Sequence, residues 1–346
     1  MNNKKLIISL IIIIFLSIPV AIIFGTAHIS FSDTYQIFIK NILRRSERVV
    51  DPVHQSIIWE LRVPRVLAAM IVGGSLAAMG CIMQAMTGNI MADPYILGVQ
   101  SGAAMFAAFS LAFASYFSFL GVVNLVLFAF IGAILTTAVV YAISLKKKDF
   151  SPHTLILVGI AISMFCSAVT QLILVFAPDN SKVRSIVFWT MGGFGSVRWN
   201  QIPVIAVIFF IGWIIVYLLS EQLNILSLGK ETAKVLGVRT ERLSRILIVV
   251  SSLIVGTMVS ISGSIGFVGL VIPHIARRLV GYNHKKLMPI ATLLGALLLI
   301  WADIIARVIV SPKELPIGVI TSILGVPFFL KIVLRGRIGD VRKSSD

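Results

Sequence analysis

Few residues in this chain are of a type and spacing that could do chemistry. Asp303 lies inside a long apolar run, and Arg307 follows four residues on, on the same face of a helix. The pair is a candidate ion-coupling site at membrane depth. Its simpler reading is a self-neutralised pair near one end of its helix, because buried carboxylates seek a cation. The five histidines, His28, His54, His153, His274 and His284, have no metal-ligand spacing. Cys81 and Cys166 both sit in apolar runs, far apart, and read as small buried hydrophobes. There is no G-x-x-x-x-G-K-[ST] phosphate loop, no H-E-x-x-H and no G-x-S-x-G. An enzyme with convergent acid, base or metal groups is therefore not expected, and the chain is not expected to bind ATP through such a loop.

The elements that must position these residues are membrane helices. Of 346 residues 58% are hydrophobic and only 13% charged. Soluble domains carry about a quarter charged residues, so too little polar surface remains here for a water-soluble globule. A helix needs about 20 apolar residues to cross the hydrocarbon layer. Candidate spans are 6–27, 63–83, 95–116, 122–145, 154–177, 201–220, 245–263, 266–281, 288–306 and 317–334. The first is longer than a signal-peptide core and reads as a retained helix. Ten spans give an all-α polytopic protein, a single transmembrane domain over 1–346, with both ends inside. More than half of the 30 Lys and Arg then fall on inside segments, as the positive-inside rule requires. The net charge of +16 reflects those loops rather than nucleic-acid binding. The stretch 28–62 becomes an extracytoplasmic excursion, and 221–244 is the longest inside loop.

An internal echo accompanies this plan. Val72-Gly73 precedes Gly80 by seven residues, and Val255-Gly256 precedes Gly263 by the same distance. Arg65 and Arg245 stand ahead of them. In this topology the second span runs inward and the seventh outward, so spans 2–5 and 7–10 would form an inverted repeat.

Four ordered motif regions resemble one family: permeases of binding-protein-dependent ABC importers for iron–siderophore complexes, haem and vitamin B12. Trp59-Glu-Leu-Arg62-Val-Pro64-Arg65 is similar to the family's R-[LV]-P-R entry, and Asn89-Ile-Met-Ala-Asp93-Pro94-Tyr-Ile-Leu-Gly98 to its N-P-L-A-[DE]-P-x-x-L-G. Leu223 to Val238 resembles its long cytoplasmic loop. Gly263-Ser-Ile-Gly266-Phe-Val-Gly-Leu-Val-Ile-Pro273-His274-Ile-Ala-Arg277 is the strongest stretch. Ala302-Asp303, Ala306-Arg307, Glu314-Leu-Pro316-Ile-Gly318 and Gly325-Val-Pro327 follow in order. One departure is Ile90, where the family commonly has proline.

The resemblance implies a transport subunit without its own ATP site. It implies a second permease copy, most simply a homodimer, two cytoplasmic ATPase subunits that use ATP and Mg, and an extracytoplasmic substrate-binding protein. No cofactor is expected on this chain, and the location implied is the bacterial cytoplasmic membrane. The substrate path would follow the dimer interface, consistent with the lack of a polar mid-membrane site in the sequence reading. An iron–siderophore complex is favoured as substrate, with haem or a corrinoid as alternatives. Phe188-Trp-Thr-Met-Gly-Gly-Phe-Gly195 is similar to cobalamin permeases, but related runs occur in siderophore permeases. A secondary transporter is the distant alternative, with Asp303 and Arg307 as its coupling residues.

The family also implies site residues. Asn89, Met91, Ser151, Pro152 and His153 would line an inner gate. Leu228, Gly229, Glu231, Ala233, Leu236 and Gly237 would form the contact with the ATPase. Arg62, Arg65 and Arg307 would be outer docking points for glutamates of the binding protein, or else anchors that reach the headgroups, with Glu60 near Arg62 and Asp303 holding Arg307.

Overall fold

The computed structural model describes residues 3–25, 27, 29–43, 51–113, 123–145 and 152–334. Among them there are helices and turns and no strand. Helix α1 (Asn3–Ile23) leads to two short helices, α2 (Phe31–Phe38) and α3 (Pro52–Gln55). A π-helical stretch, Ser56–Arg62, then runs without a break into α4 (Val63–Thr87). There follow α5 (Val99–Ala112), α6 (Val123–Leu145), α7 (Pro152–Val175), α8 (Asn180–Met191) and α9 (Ile202–Leu218). Two short helices, α10 (Ser220–Leu226) and α11 (Lys230–Val235), precede α12 (Thr240–Ser262), α13 (Val268–Val280), α14 (His284–Val308) and α15 (Ile317–Leu334).

Helix α4 is the central post. Alanine, glycine and serine alternate with larger apolar residues along it, and nearly every side chain from Val63 to Met86 is buried. Small residues let helix backbones approach in lipid, where packing replaces the hydrophobic effect as the driving force. A Cβ on Gly73 would lie 2.2 Å from the Gly295 carbonyl oxygen, and one on Gly295 would lie 2.2 Å from that of Gly73. These two glycines are the crossing point of α4 and α14.

The helix pairing follows an inverted repeat: α4 packs on α14 and α13, while α12 packs on α6 and α5. The glycine echo follows it only halfway. Gly73 faces α14 and Gly256 faces Ala133 of α6, which are corresponding crossings. Gly263 instead ends α12 with φ 64, whereas Gly80 stays helical against Gly269.

Among the described residues, seven helices are long and apolar enough to cross a membrane, and the other three of the ten expected spans correspond to the shorter α5, α13 and α15. The expectation of spans at 95–116 and 266–281 missed local breaks. Pro94–Leu97 forms a tight 3-10 turn and Gly98 takes a left-handed conformation (φ 75), so α5 starts only at Val99. Phe267 is left-handed too, which delays α13 to Val268. Helix α8 was not expected, being too short and too polar to register as a span; Asp179 starts it by accepting the Lys182 N–H at 2.9 Å.

Candidate functional site

Helix α7 carries no charged residue after His153 and exposes many large apolar side chains, among them Leu157, Met164, Phe165 and Leu172. Within that surface Ser163, Ser167 and Gln171 recur every four residues and share one face. Together with Ile160, Met164 and Ala168 they form one wall of a cavity of about 680 Å³. The turn between α4 and α5 supplies Asp93, Tyr95 and Ile96, and the connection into α13 supplies Gly266, Phe267 and Leu270. The sequence signal for this stripe is the four-residue recurrence of polar residues within 154–177, which average hydropathy does not show.

Two bonds fix the other walls. The Asp93 carboxylate accepts the Tyr95 N–H at 2.9 Å, and the Tyr95 hydroxyl donates to the Ile265 carbonyl at 3.0 Å. The second bond ties the α4–α5 turn to the α12–α13 connection. Burial pushes the Asp93 carboxyl up to about 6, against the opposing pull of the Tyr95 N–H. Phe267 holds φ 67, and its ring packs where a Cβ on Gly325 of α15 would stand, 2.5 Å from Cγ. A non-glycine residue there is uncommon and is held by its surroundings.

Of the expected gate residues, Asn89, Met91 and His153 are not among those that line this cavity. Asn89 and Met91 are exposed in the α4–α5 turn, where Asn89 Oδ1 accepts the Met91 N–H at 2.9 Å. His153 is exposed at the start of α7, Pro152 opens that helix, and Ser151 lies outside the described residues. Asp93 and Tyr95, a few residues beyond Met91, are the turn residues that reach the cavity.

At the outer end, as the charge distribution orients the chain, three arginines meet two carboxylates. Arg65 Nε donates to Asp303 Oδ1 and its Nη1 to Glu314 Oε2, each at 2.8 Å. Arg307 Nη2 lies 3.0 Å from Asp303 Oδ2. Arg62 has no carboxylate partner among the described residues; it donates to the Ile22, Ile23 and Ala27 carbonyls at 2.9, 2.8 and 2.6 Å. Arg307 donates to Phe24 and Ala21 at 2.7 and 2.8 Å. Two arginines thus satisfy the last carbonyls of α1, which have no intrahelical donor. Arg62, Arg65 and Arg307 were expected at the surface, yet they are 5%, 8% and 2% exposed. Glu60 was expected beside Arg62; backbone carbonyls stand there instead. Unsatisfied helix-end carbonyls and a buried Asp303 draw the guanidinium groups inward.

At the inner end α10 and α11 form a small protrusion. Gly229 starts α11 at φ 112, and Gly237 ends it at φ 83. The Val238 N–H reaches the Ala233 carbonyl at 2.9 Å and the Gly237 N–H that of Lys234 at 3.0 Å, a Schellman closure. This leaves Leu228, Val235 and Leu236 exposed at 66%, 88% and 55%. Glu231 pairs with Lys234 at 3.1 Å on the surface. Ala233, expected to touch a partner, is fully buried and instead seats α11 on the core.

A helical membrane chain with a polar-striped face, an ionic cluster at one end and an apolar-tipped protrusion at the other has the makings of a transport subunit. The chain belongs to the FecCD transport family, whose profile matches residues 9–335. It is 39% identical over 285 residues to the Fe(3+)-citrate import system permease protein YfmD of Bacillus subtilis, covering 82% of this chain and 83% of that one. It is 38% identical over 282 residues to the hemin transport system permease protein HmuU of Yersinia pestis, covering 81% and 84%. A solved ABC transporter assigned to the metal-chelate type, in an inward-facing conformation, superposes with a TM-score of 0.82 at 33% identity, covering 96% of this chain and 99% of that one. The chain is a multi-pass permease subunit of an ABC importer of the cytoplasmic membrane. It works with ATPase and binding-protein partners, and ATP is hydrolysed on the separate subunits.

Proposed function

We propose that this permease moves an iron–siderophore complex inward along a path between two copies of the chain. The observation that carries the reading is the stripe Ser163, Ser167 and Gln171 on the exposed face of α7. Hydroxyl and amide groups turned to hydrocarbon would lack hydrogen-bond partners. A second copy facing α7 would enclose the stripe in a shared, hydrated path. Its groups are hydroxyls, an amide, a phenol, a thioether and one carboxyl, so they contact a bulky polar chelate without holding it. The names of YfmD and HmuU, Fe(3+)-citrate and hemin, place iron compounds among the cargoes of similar proteins. Haem and corrinoids are the alternative cargoes on the same path.

Two ATPase subunits, holding ATP and Mg, would seat the exposed Leu228, Val235 and Leu236 and the flanking Gly229, Glu231 and Gly237 in the loop 221–244. The binding protein would dock outside, where the stretch 28–62 and the Arg62, Arg65 and Arg307 cluster lie. Among the described residues that cluster has one cation more than its carboxylates, and a partner glutamate would balance it. Asn89, Met91, Ser151, Pro152 and His153 would surround the inner exit, and this chain itself would hold no cofactor.

The test is a cysteine at Ser167 in an otherwise cysteine-free chain, in cells supplied with radioactive iron–siderophore complexes. Crosslinking of two copies through that cysteine, with uptake blocked until the bond is reduced, is the expected result. Monomeric protein under every oxidant, with uptake intact, would overturn the shared path. Uptake of radiolabelled haem or cobalamin, but of no iron–siderophore complex, would overturn the cargo.

A further inference from the structure

Helix α14 is long and apolar enough to cross a membrane. Its 25 residues span about 37 Å at the α-helical rise. Its outer end carries Asp303 and Arg307 of the ionic cluster, and its inner end begins at His284, beside α10. The contact between α10 and α14 is polar and specific. Asn224 Oδ1 accepts the backbone N–H of His284 at 2.8 Å and lies 2.8 Å from His284 Nδ1. One turn earlier on α10, Glu221 pairs with Lys285 at 2.5 Å. Buried Leu223 and Leu226 plant the same helix in the core.

The histidine is an expensive choice for mere packing. It is 3% exposed. Because Asn224 Oδ1 is an acceptor, Nδ1 carries the hydrogen, and Nε2 is buried beside the Cys81 backbone with no well-formed hydrogen bond. A leucine would fill similar space without that cost. What leucine cannot do is bind α10 through its side chain.

We propose that Asn224 and His284 are the joint through which movement of the ATPase-facing α10–α11 protrusion reaches α14, and through it the outer ionic cluster. The inference rests on the reading of α10–α11 as the ATPase contact. Both are positioning residues: neither touches nucleotide or cargo. The bidentate contact resists both sliding and rotation of α10 on the first turn of α14. The close α4–α14 crossing at Gly73 and Gly295 keeps α14 from flexing midway. Between the joint and that crossing Pro289 removes one backbone hydrogen bond of α14, so a displacement imposed on the protrusion moves the first turns of α14 against the segment anchored at Gly295 and reaches the outer cluster through it.

The experiment uses the importer purified with its own ATPase subunits in lipid nanodiscs, with loaded binding protein added. Three quantities are read: ATPase subunits retained, melting temperature, and ATP hydrolysis with and without binding protein. Asn224→Leu should retain the ATPase subunits yet lose stimulation by about tenfold, the order expected for one or two lost buried hydrogen bonds. Asn224→Asp, which keeps an acceptor at Oδ1, should stay within about twofold of wild type, as should loss of the exposed pair in Glu221→Gln. The decisive variant is His284→Leu, which should melt no lower than wild type and still lose stimulation. A structural role alone predicts that stimulation follows the melting temperature. Full stimulation in His284→Leu, or equal losses in Asn224→Leu and Asn224→Asp, would overturn the joint. A wild-type complex whose hydrolysis ignores the binding protein would overturn the importer reading beneath it as well.

Discussion

Arg65 Nε and Asp303 Oδ1 stand 2.8 Å apart, joining the first turn of α4 to the outer part of α14 across 238 residues of sequence. The carboxylate is 1% exposed and also faces Arg307 at 3.0 Å. A buried charge is tolerated when it is paired, and removing one partner leaves the rest uncompensated. Asp303 therefore pairs with two arginines from different helices. This position near the helix end, with both cations fixed, does not suit an ion-coupling residue that must load and release a proton.

Asp303→Asn should accordingly destabilise the protein by about 3–5 kcal/mol, the order found when a buried pair loses one member. The measurement is the thermal midpoint of the purified chain in detergent. Replacing Asp303 and Arg65 together by leucine and methionine should recover part of the loss. A single Asp303→Asn variant that melts with wild type would show that the cluster is hydrated and exchangeable.

The inner protrusion yields a separate expectation. Gly229 occupies φ 112, which proline cannot adopt because its ring fixes φ near −65°. Gly229→Pro should leave the chain in the membrane, since no buried contact of the helices is lost, but prevent capture of the ATPase subunits. Val235→Asp should do the same without backbone distortion, because this side chain is 88% exposed. Co-purification measures both. Retention of the ATPase at wild-type level by Val235→Asp would remove this surface from the contact.

Docking at the outer end is expected to respond to Glu314. Its side chain is 40% exposed, the most accessible of the ionic cluster. Glu314→Gln removes one of two carboxylates that balance three arginines. The outer face becomes more positive, and encounter with an acidic binding-protein surface should quicken by a few-fold at low ionic strength. The gain should fade as salt shortens the screening length towards about 8 Å. Association rates read across a salt series decide it; a slower rate at low salt would mean that Glu314 itself contacts the partner.

Much of the architecture was legible in the sequence because apolar runs of membrane length leave few alternatives to helices. The positions of α1, α4, α6, α7, α9, α12 and α14 follow from such runs alone. The shortened α5 and α13 did not follow, since their limits depend on Gly98 and Phe267 adopting left-handed conformations that tertiary packing selects. The arginines were found by type and place, but their burial was not. Nothing in Arg62 or Arg307 signals that the open end of α1, some 40 and 280 residues away, will lie beside them. The stripe on α7 escaped notice because three polar residues scarcely alter the hydropathy of a 24-residue helix. Period, rather than content, carries that signal.

Asp93 provides a pH-dependent expectation with a definite sign. Its carboxyl is raised from an ordinary 3.8 to about 6 by burial in the α4–α5 turn. The folded protein therefore holds the Asp93 proton more tightly than the unfolded chain does. Stability from this group is fully present below about pH 4, declines as pH rises, and is lost above about pH 6. At neutral pH the turn carries a desolvated charge that the Tyr95 N–H compensates only in part. Asp93→Asn keeps an oxygen acceptor for that N–H while removing the charge. The variant should melt a few degrees above wild type at pH 7.5 and lose most of the difference by pH 4. Thermal midpoints of both proteins, taken at half-unit steps from pH 4 to 7.5, give the comparison. A difference that is flat across the range would assign the effect to packing, and a variant that melts below wild type at pH 7.5, with the deficit shrinking toward acid, would reverse the sign and place a cation beside the carboxylate.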